Sequence, residues 1–249
     1  MQIYNGVDCI KLVASRDVIS PGLATAPQAT LDELRAAVEE AHKLGKKALA
    51  HAQGHEAIMR CIEAGADSIV HGFWIDEECA DLMVKRNVFL ESTNLYVRGI
   101  VDKGAGDLPD WMVQKAVACW QDKKKNFRML LDKGVKISFG SDAGVPYVYH
   151  GENAKELAMF VELGMSPAQA IVAATKTAAE AVGLGDQVGT LEAGKVADVI
   201  AIEGDPLRDI DLLHQPDAIK MVMKEGSIVL TRPSKTSGTA GGVRGTRTS

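Results

Sequence analysis

Lys11, His51, His71 and Asp142 each stand at or near the end of a short apolar run. Neutral imidazole nitrogens and carboxylate oxygens are good zinc ligands, and a carboxylate can also take up and return a proton. Lysine is the odd member, because an ammonium cannot bind a cation. It becomes a ligand only when its neutral amine takes up carbon dioxide as a carbamate, a bidentate anion able to bridge two metals. Each residue alone has a plainer reading. A histidine at a strand end can be a hydrogen-bonded rim residue, and Lys11 can reach solvent along its own stem. Asp142, within Gly140-Ser141-Asp142-Ala143-Gly144, can cap the following turn. It is the joint arrangement that points to a divalent-metal site.

Other reactive side chains form weaker patterns. His51 and His55 are four residues apart, but the HExxH pattern is absent. Cys61, Cys79 and Cys119 fall on predicted helices and read as packed thiols. No Walker lysine follows the glycines around Asp142, and Lys123-Lys124-Lys125 reads as a solvated helix face.

The elements that position the four residues repeat one device: apolar helix, glycine, short apolar strand, polar residue. Thr30 and Glu33 fit a capping box. Leu31, Leu34, Val38, Ala41 and Leu44 follow at helical spacing, and Gly45 stops the helix. Ala48–Ala50 then leads to His51. A second helix containing Ile58 and Ile62 stops at Gly65 and feeds Ser68–His71, so the histidines lie 71 − 51 = 20 residues apart, one short strand–helix unit. Asp76 can cap the next helix, and a longer one runs from about Pro109 to Asp132. Strands are expected near 7–13, 47–51, 66–71, 87–92 and 135–141, followed by a helix near 153–163 and another opened by Ser166 and Pro167. Helices alternating with buried strands indicate a parallel α/β architecture, in which reactive groups collect at the C-terminal strand ends. Beyond Gly183 the pattern turns antiparallel, with a hairpin turn at Glu225-Gly226. The expected division is 1–184 for the strand–helix series, 185–231 for the antiparallel strands and 232–249 for a disordered Ser/Thr/Gly-rich tail.

Composition narrows the function. The 249 residues carry 28 basic against 33 acidic side chains, a net charge of −5, which argues against general nucleic-acid binding. No apolar run approaches the ~20 residues of a membrane span, so no membrane partner is expected. Four cysteines without CxxC pairing fit a reducing compartment, hence a cytoplasmic setting.

Taken in order, Asp8-Cys9-Ile10-Lys11, Ala50-His51-Ala52-Gln53-Gly54, Ile69-Val70-His71-Gly72 and Gly140-Ser141-Asp142-Ala143-Gly144 resemble the amidohydrolase superfamily. His150-Gly151-Glu152-Asn153 and Gly189–Asp198 strengthen the resemblance, which runs to about residue 230 and is strongest to the imidazolonepropionase-like branch with Xaa-Pro dipeptidases (prolidases). It implies a TIM-type (β/α)8 barrel with a small β-sandwich, zinc as the usual metal, and cleavage of a peptide-like C–N bond by metal-activated hydroxide. It further implies that Lys11 is the carboxylated lysine of strand four, that His51 and His71 are ligands on strands five and six, and that Asp142 is the strand-eight acid, serving as ligand and proton carrier. Tyr96, Arg98 and Tyr147 are candidates for substrate contact, with Tyr96 and Arg98 equally readable as loop residues. His150, Glu152 and Asn153 are candidates for holding the ligands in place.

The chain departs from the family at one point. The strand-one His-x-His pair is absent: the histidines are His42, His51, His55, His71, His150 and His214. About three of the eight strand–helix units would then be missing, leaving an arc of strands four to eight with open edges. The expectation is a chain that retains metal weakly, has low or no hydrolase activity alone, and associates with itself or with a partner supplying strands. The rival reading is a catalytically silent barrel fragment serving as a subunit or binding module. A cyclic amidase or phosphoesterase of the same superfamily is the third.

Overall fold

The strand–helix alternation folds, in a computed structural model, into a parallel sheet whose five strands lie side by side in sequence order; the structure describes residues 3–233. The strands are β1 (Cys9–Val13), β2 (Lys47–Ala52), β3 (Ser68–His71), β4 (Phe89–Ser92) and β5 (Ile137–Phe139). Helices α1 (Leu31–Lys43), α2 (His55–Ala64) and α3 (Glu77–Arg86) make the first connections, and α4 (Asn94–Lys103) and α5 (Asp110–Lys133) together join β4 to β5. After β5 come α6 (Lys155–Glu162), α7 (Pro167–Val172) and, beyond a wide helical turn at Ala173–Thr177, α8 (Ala178–Ala181).

Local chemistry sets the boundaries. Thr30 accepts from the Glu33 N–H while Glu33 answers at the Thr30 N–H (2.9 Å), so the capping box is closed in both directions. Ser166 and Gln169 build a second box at α7, and Asp76 caps α3. Gly65 and Gly134 end α2 and α5 in the left-handed region.

The two faces of the sheet differ. Ala48, Ala50, Ala52, Ile69 and Leu90 are fully buried, and small side chains there let the helices approach the sheet closely. The register Val13↔His51↔Val70↔Glu91↔Ser138 and Lys11↔Leu49↔Ser68 defines the opposite face. Burial on that face falls away towards β1: Ser68 and Ser138 are buried, Leu49 and Glu91 half-buried, Lys11 exposed, and Val13 59% exposed.

A separate antiparallel sheet joins β6 (Val199–Ile202), β7 (Ile219–Lys224) and β8 (Ser227–Thr231). Its hairpin turns at Glu225 and Gly226 as expected, both at positive φ (50° and 79°), the pairing a type I′ turn requires.

Three expectations are corrected. Tyr96 and Arg98 lie on a ten-residue helix, α4, and not on a loop. Lys123 is fully buried on α5, while Lys124 and Lys125 keep to solvent. A run of three lysines cannot present one face of a helix, since successive residues point about 100° apart. Arg232, read as the start of the tail, is tied in: its N–H donates to the Lys220 carbonyl (2.8 Å) and its guanidinium to Pro216 (2.8 Å). The rest of the expected tail, from 234 onward, lies outside the described residues.

Candidate metal centre

His51 and His71 leave neighbouring strands, and their rings meet edge to face with centroids 4.7 Å apart. Alternation alone would not bring this about. His71 pairs with Ala52, not with His51, which assigns it to the opposite face of a regular strand. Its backbone leaves the strand at φ +71°, a conformation costing on the order of 1–3 kcal/mol for a residue with a side chain. Two neighbours hold it there. Lys123 Nζ donates to the His71 carbonyl (3.3 Å), and Gly72, also at positive φ, leaves space where a Cβ would come within 2.6 Å of Ile75.

The ring nitrogens are committed unequally. His71 Nδ1 shares a hydrogen bond with Thr93 Oγ1 (2.7 Å), leaving Nε2 for another partner. His51 Nε2 lies 3.0 Å from the Arg16 carbonyl and its Nδ1 3.6 Å from Asp17 Oδ2. The last distance is too long for a hydrogen bond. One donor atom each from Asp17, His51 and His71 falls within 4.8 Å of the others. Burial, helped by the neighbouring basic groups His51, Lys11 and Lys123, pushes the His71 pKa well below its ordinary value, so its imidazole is neutral, the form that ligates.

Asp17 escapes sequence reasoning. It lies four residues past the end of β1, in a segment with no motif. Tertiary contacts place it: Tyr96 Oη donates to Asp17 Oδ1 (3.2 Å), and Gln53 Nε2 donates to Tyr96 Oη (3.4 Å). The one available signal was general, that loops after parallel strands carry the chemistry.

Lys11 and Asp142, both exposed by surface area, are near enough to this cluster to interact with its charges. The protein around Lys11 still lowers its pKa by desolvation, opposed by the negative charges of Glu91, Asp142 and Asp17. The Asp142 carboxyl moves up, through desolvation first, with Lys11 and His51 pulling it back. Asp142 sits at φ +55° in the loop after β5. Glu91, a further group that no motif marked, accepts from Ser68 Oγ (3.1 Å), and burial raises its pKa.

The remaining expected residues divide. Tyr96 joins the cluster through Asp17 and is only 1% exposed. Arg98 faces away from it: its guanidinium binds Asp102 (2.7 Å) and Glu162 (2.8 Å) and lies over Trp120. Arg98, Tyr147 and Glu152 line a cleft of about 370 Å³ beside α4. Glu152 pairs with Lys155 (2.6 Å), and His150 is exposed close to Gly144. Asn153 keeps a buried Oδ1 with no hydrogen-bond partner.

Comparison with known proteins agrees with this architecture. The model of the amidohydrolase family matches residues 5–229. Ochratoxinase of Aspergillus niger is 34% identical over 236 residues, 92% of this chain and 47% of that protein. Imidazolonepropionase of Thermoplasma volcanium matches 42% of this chain at 33% identity. Among solved structures, a Xaa-Pro dipeptidase with methionine in its active site superposes with a TM-score of 0.84 at 36% identity, covering 91% of this chain and 55% of that one. A prolidase complexed with N-methylphosphonate-L-proline gives 0.85 at 30% identity, covering 92% and 56%. The chain thus spans about half the length of ochratoxinase and of the two prolidase-type structures. With a family match over nearly its whole described length and the fold of prolidase-type relatives, the chain belongs to the amidohydrolase family.

Proposed function

We propose that this chain carries part of the active site of a metal-dependent amidohydrolase that cleaves a peptide-like C–N bond, in the manner of a dipeptidase or carboxypeptidase of the Xaa-Pro type. The observation that carries the reading is the convergence of Asp17, His51 and His71 donor atoms within 4.8 Å. Two imidazoles and a carboxylate form a donor set suited to zinc, and the Thr93 contact to His71 Nδ1 is the outer support that such ligands use. His51 and His71 would hold the ion, with Asp17 or Asp142 as carboxylate ligand. Lys11 would join as its carbon dioxide-derived carbamate, which the lowered pKa of its amine favours. When bound, the cation supplies Lewis-acid polarisation and a lowered pKa for water.

The chain's own residues supply the rest. Asp142, with its pKa raised, takes the proton of the attacking water and delivers it to the leaving amine, the base-then-acid sequence that amide cleavage needs. Tyr96 orients Asp17. Tyr147 would meet the substrate, with His150, Glu152 and Asn153 supporting the loop after Asp142, while Arg98 stays committed to Asp102 and Glu162 and takes no part.

The five strands are read as strands four to eight of a TIM-type barrel over 1–184, and the antiparallel strands over 185–231 as part of a β-sandwich. The open face around Lys11 and Val13 supports a second feature: partner strands, from another copy or another chain, cover it in the active form. The isolated chain would then retain metal weakly and turn over dipeptides slowly. Among the described residues no helix is long and apolar enough to cross a membrane.

Zinc content after dialysis against the ion, in wild type and in His51→Ala and His71→Ala, tests the centre. Expected is that either substitution lowers the bound zinc below the wild-type level. Equal zinc in all three would overturn the assignment.

A further inference from the structure

We propose that His55, Asp76 and Cys79 form a second divalent-cation site, distinct from the His51–His71 centre, that takes a zinc-class ion on the rim where the segments after β2 and β3 meet. His55 opens α2, and Asp76 and Cys79 belong to the first turn of α3. The Trp74 N–H donates to the Gln53 carbonyl (3.1 Å), which stitches the two segments together just before these residues. Gly54 lies so close to Thr25 that a Cβ would come within 2.4 Å of it, which fixes the start of α2.

The donor atoms converge. His55 Nδ1 is 2.6 Å from Asp76 Oδ2 and 3.6 Å from Cys79 Sγ, and the three atoms lie within 4.8 Å of one another. Tetrahedral zinc with Zn–N near 2.0 Å and Zn–S near 2.3 Å separates N and S by about 3.5 Å, and N from O by about 3.3 Å. The N–S separation is therefore already in place. The N–O separation needs to open by about 0.7 Å, which the half-exposed Asp76 side chain can do by rotation.

Asp76 divides its duties in a way that allows this. Its Oδ1 accepts the Cys79 N–H (3.0 Å) as the cap of α3, and its Oδ2 is the oxygen that faces His55. Capping and ligation use different atoms. An ion pair accounts for His55 and Asp76, but it leaves unexplained why the thiol aims at the same nitrogen. A Cys–His–Asp proton relay is excluded by the same fact, since a relay places its partners on opposite ring nitrogens. The thiol's hydrogen-bond contacts are long, to His55 Nδ1 and to the His55 carbonyl (3.9 Å). On ligation the Cys79 S–H proton passes to solvent and the thiolate binds the cation, with water at the fourth position. An ion so held would brace the two segments that follow the His51 and His71 strands.

Cobalt(II) titration of the reduced full chain tests this, because cobalt replaces zinc and reports sulfur ligation as a near-ultraviolet thiolate-to-cobalt charge-transfer band. One equivalent is expected to raise the band in wild type, in the His51→Ala/His71→Ala double variant and in Cys9→Ser, and to raise none in Cys79→Ser. The band distinguishes the two sites, since Asp17, His51 and His71 offer no sulfur. His55→Gln and Asp76→Asn are substitutions at exposed positions, the latter keeping an acceptor for the α3 cap, and each should weaken cobalt binding at least tenfold with the circular dichroism spectrum unchanged. No band at saturating cobalt, or a band that survives Cys79→Ser and vanishes in Cys9→Ser, would overturn the proposal.

Discussion

Glu156→Gln should change how stability depends on pH, and the structure sets the size of the effect. Glu156 is fully buried at the start of α6. Its carboxylate accepts from the Asn94 N–H (2.8 Å), the Leu95 N–H (2.8 Å) and Asn94 Nδ2, and so caps the start of α4, the helix that carries Tyr96. Burial nonetheless dominates and pushes its pKa from 4.5 to about 8, against those three donors and Lys123. A carboxyl whose folded pKa is raised contributes stability that is fully present below the unfolded value and is lost as pH rises through the folded one. The window is therefore pH 4.5 to about 8, and at 1.36 kcal/mol per unit the loss across it is on the order of 5 kcal/mol. Glutamine does not ionise and escapes that loss, but it presents one acceptor oxygen in place of two, a pH-independent cost of about 1–3 kcal/mol. Urea unfolding followed by tryptophan fluorescence at pH 5 and pH 8.5 measures the difference. The variant should be less stable than wild type at pH 5 and more stable at pH 8.5. Parallel wild-type and variant curves would show that the three donors, not burial, control this carboxyl.

Lys123 provides the complementary limb: burial lowers its pKa from 10.5 to about 8, so stability should rise with pH between those values, and Lys123→Met should abolish that rise. Thr93→Val removes the hydroxyl on His71 Nδ1 while keeping its shape, and should weaken zinc binding about 10–100-fold in a chelator competition without loss of fold. Thr30→Ala opens the capping box of α1 and should cost about 1 kcal/mol in the same urea assay, with zinc affinity unchanged.

The boundaries of the elements were legible in the sequence because short-range chemistry sets them. The capping box at Thr30, the Ser166 and Asp76 caps and the hairpin at Glu225-Gly226 are decided within four residues. The strand order follows from alternation, since each helix returns the chain to the next parallel position. Ordered strand ends also marked Lys11, His51, His71 and Asp142 as candidates, but not that the rings of His51 and His71 meet.

Tertiary structure decided what depends on packing between segments distant in the chain. Asp17 carries no local signal and enters the centre through Tyr96, 79 residues away. Lys123 looks like a solvated lysine in any window of the sequence, and it is buried because α5 turns that one position towards the His71 carbonyl. Strand periodicity gives His71 the wrong face, and only the backbone turn at φ +71° brings its ring to His51. Local propensity is the free energy of a few adjacent residues. A metal-ligand geometry is a property of several segments packed together, and no single window of the chain contains it.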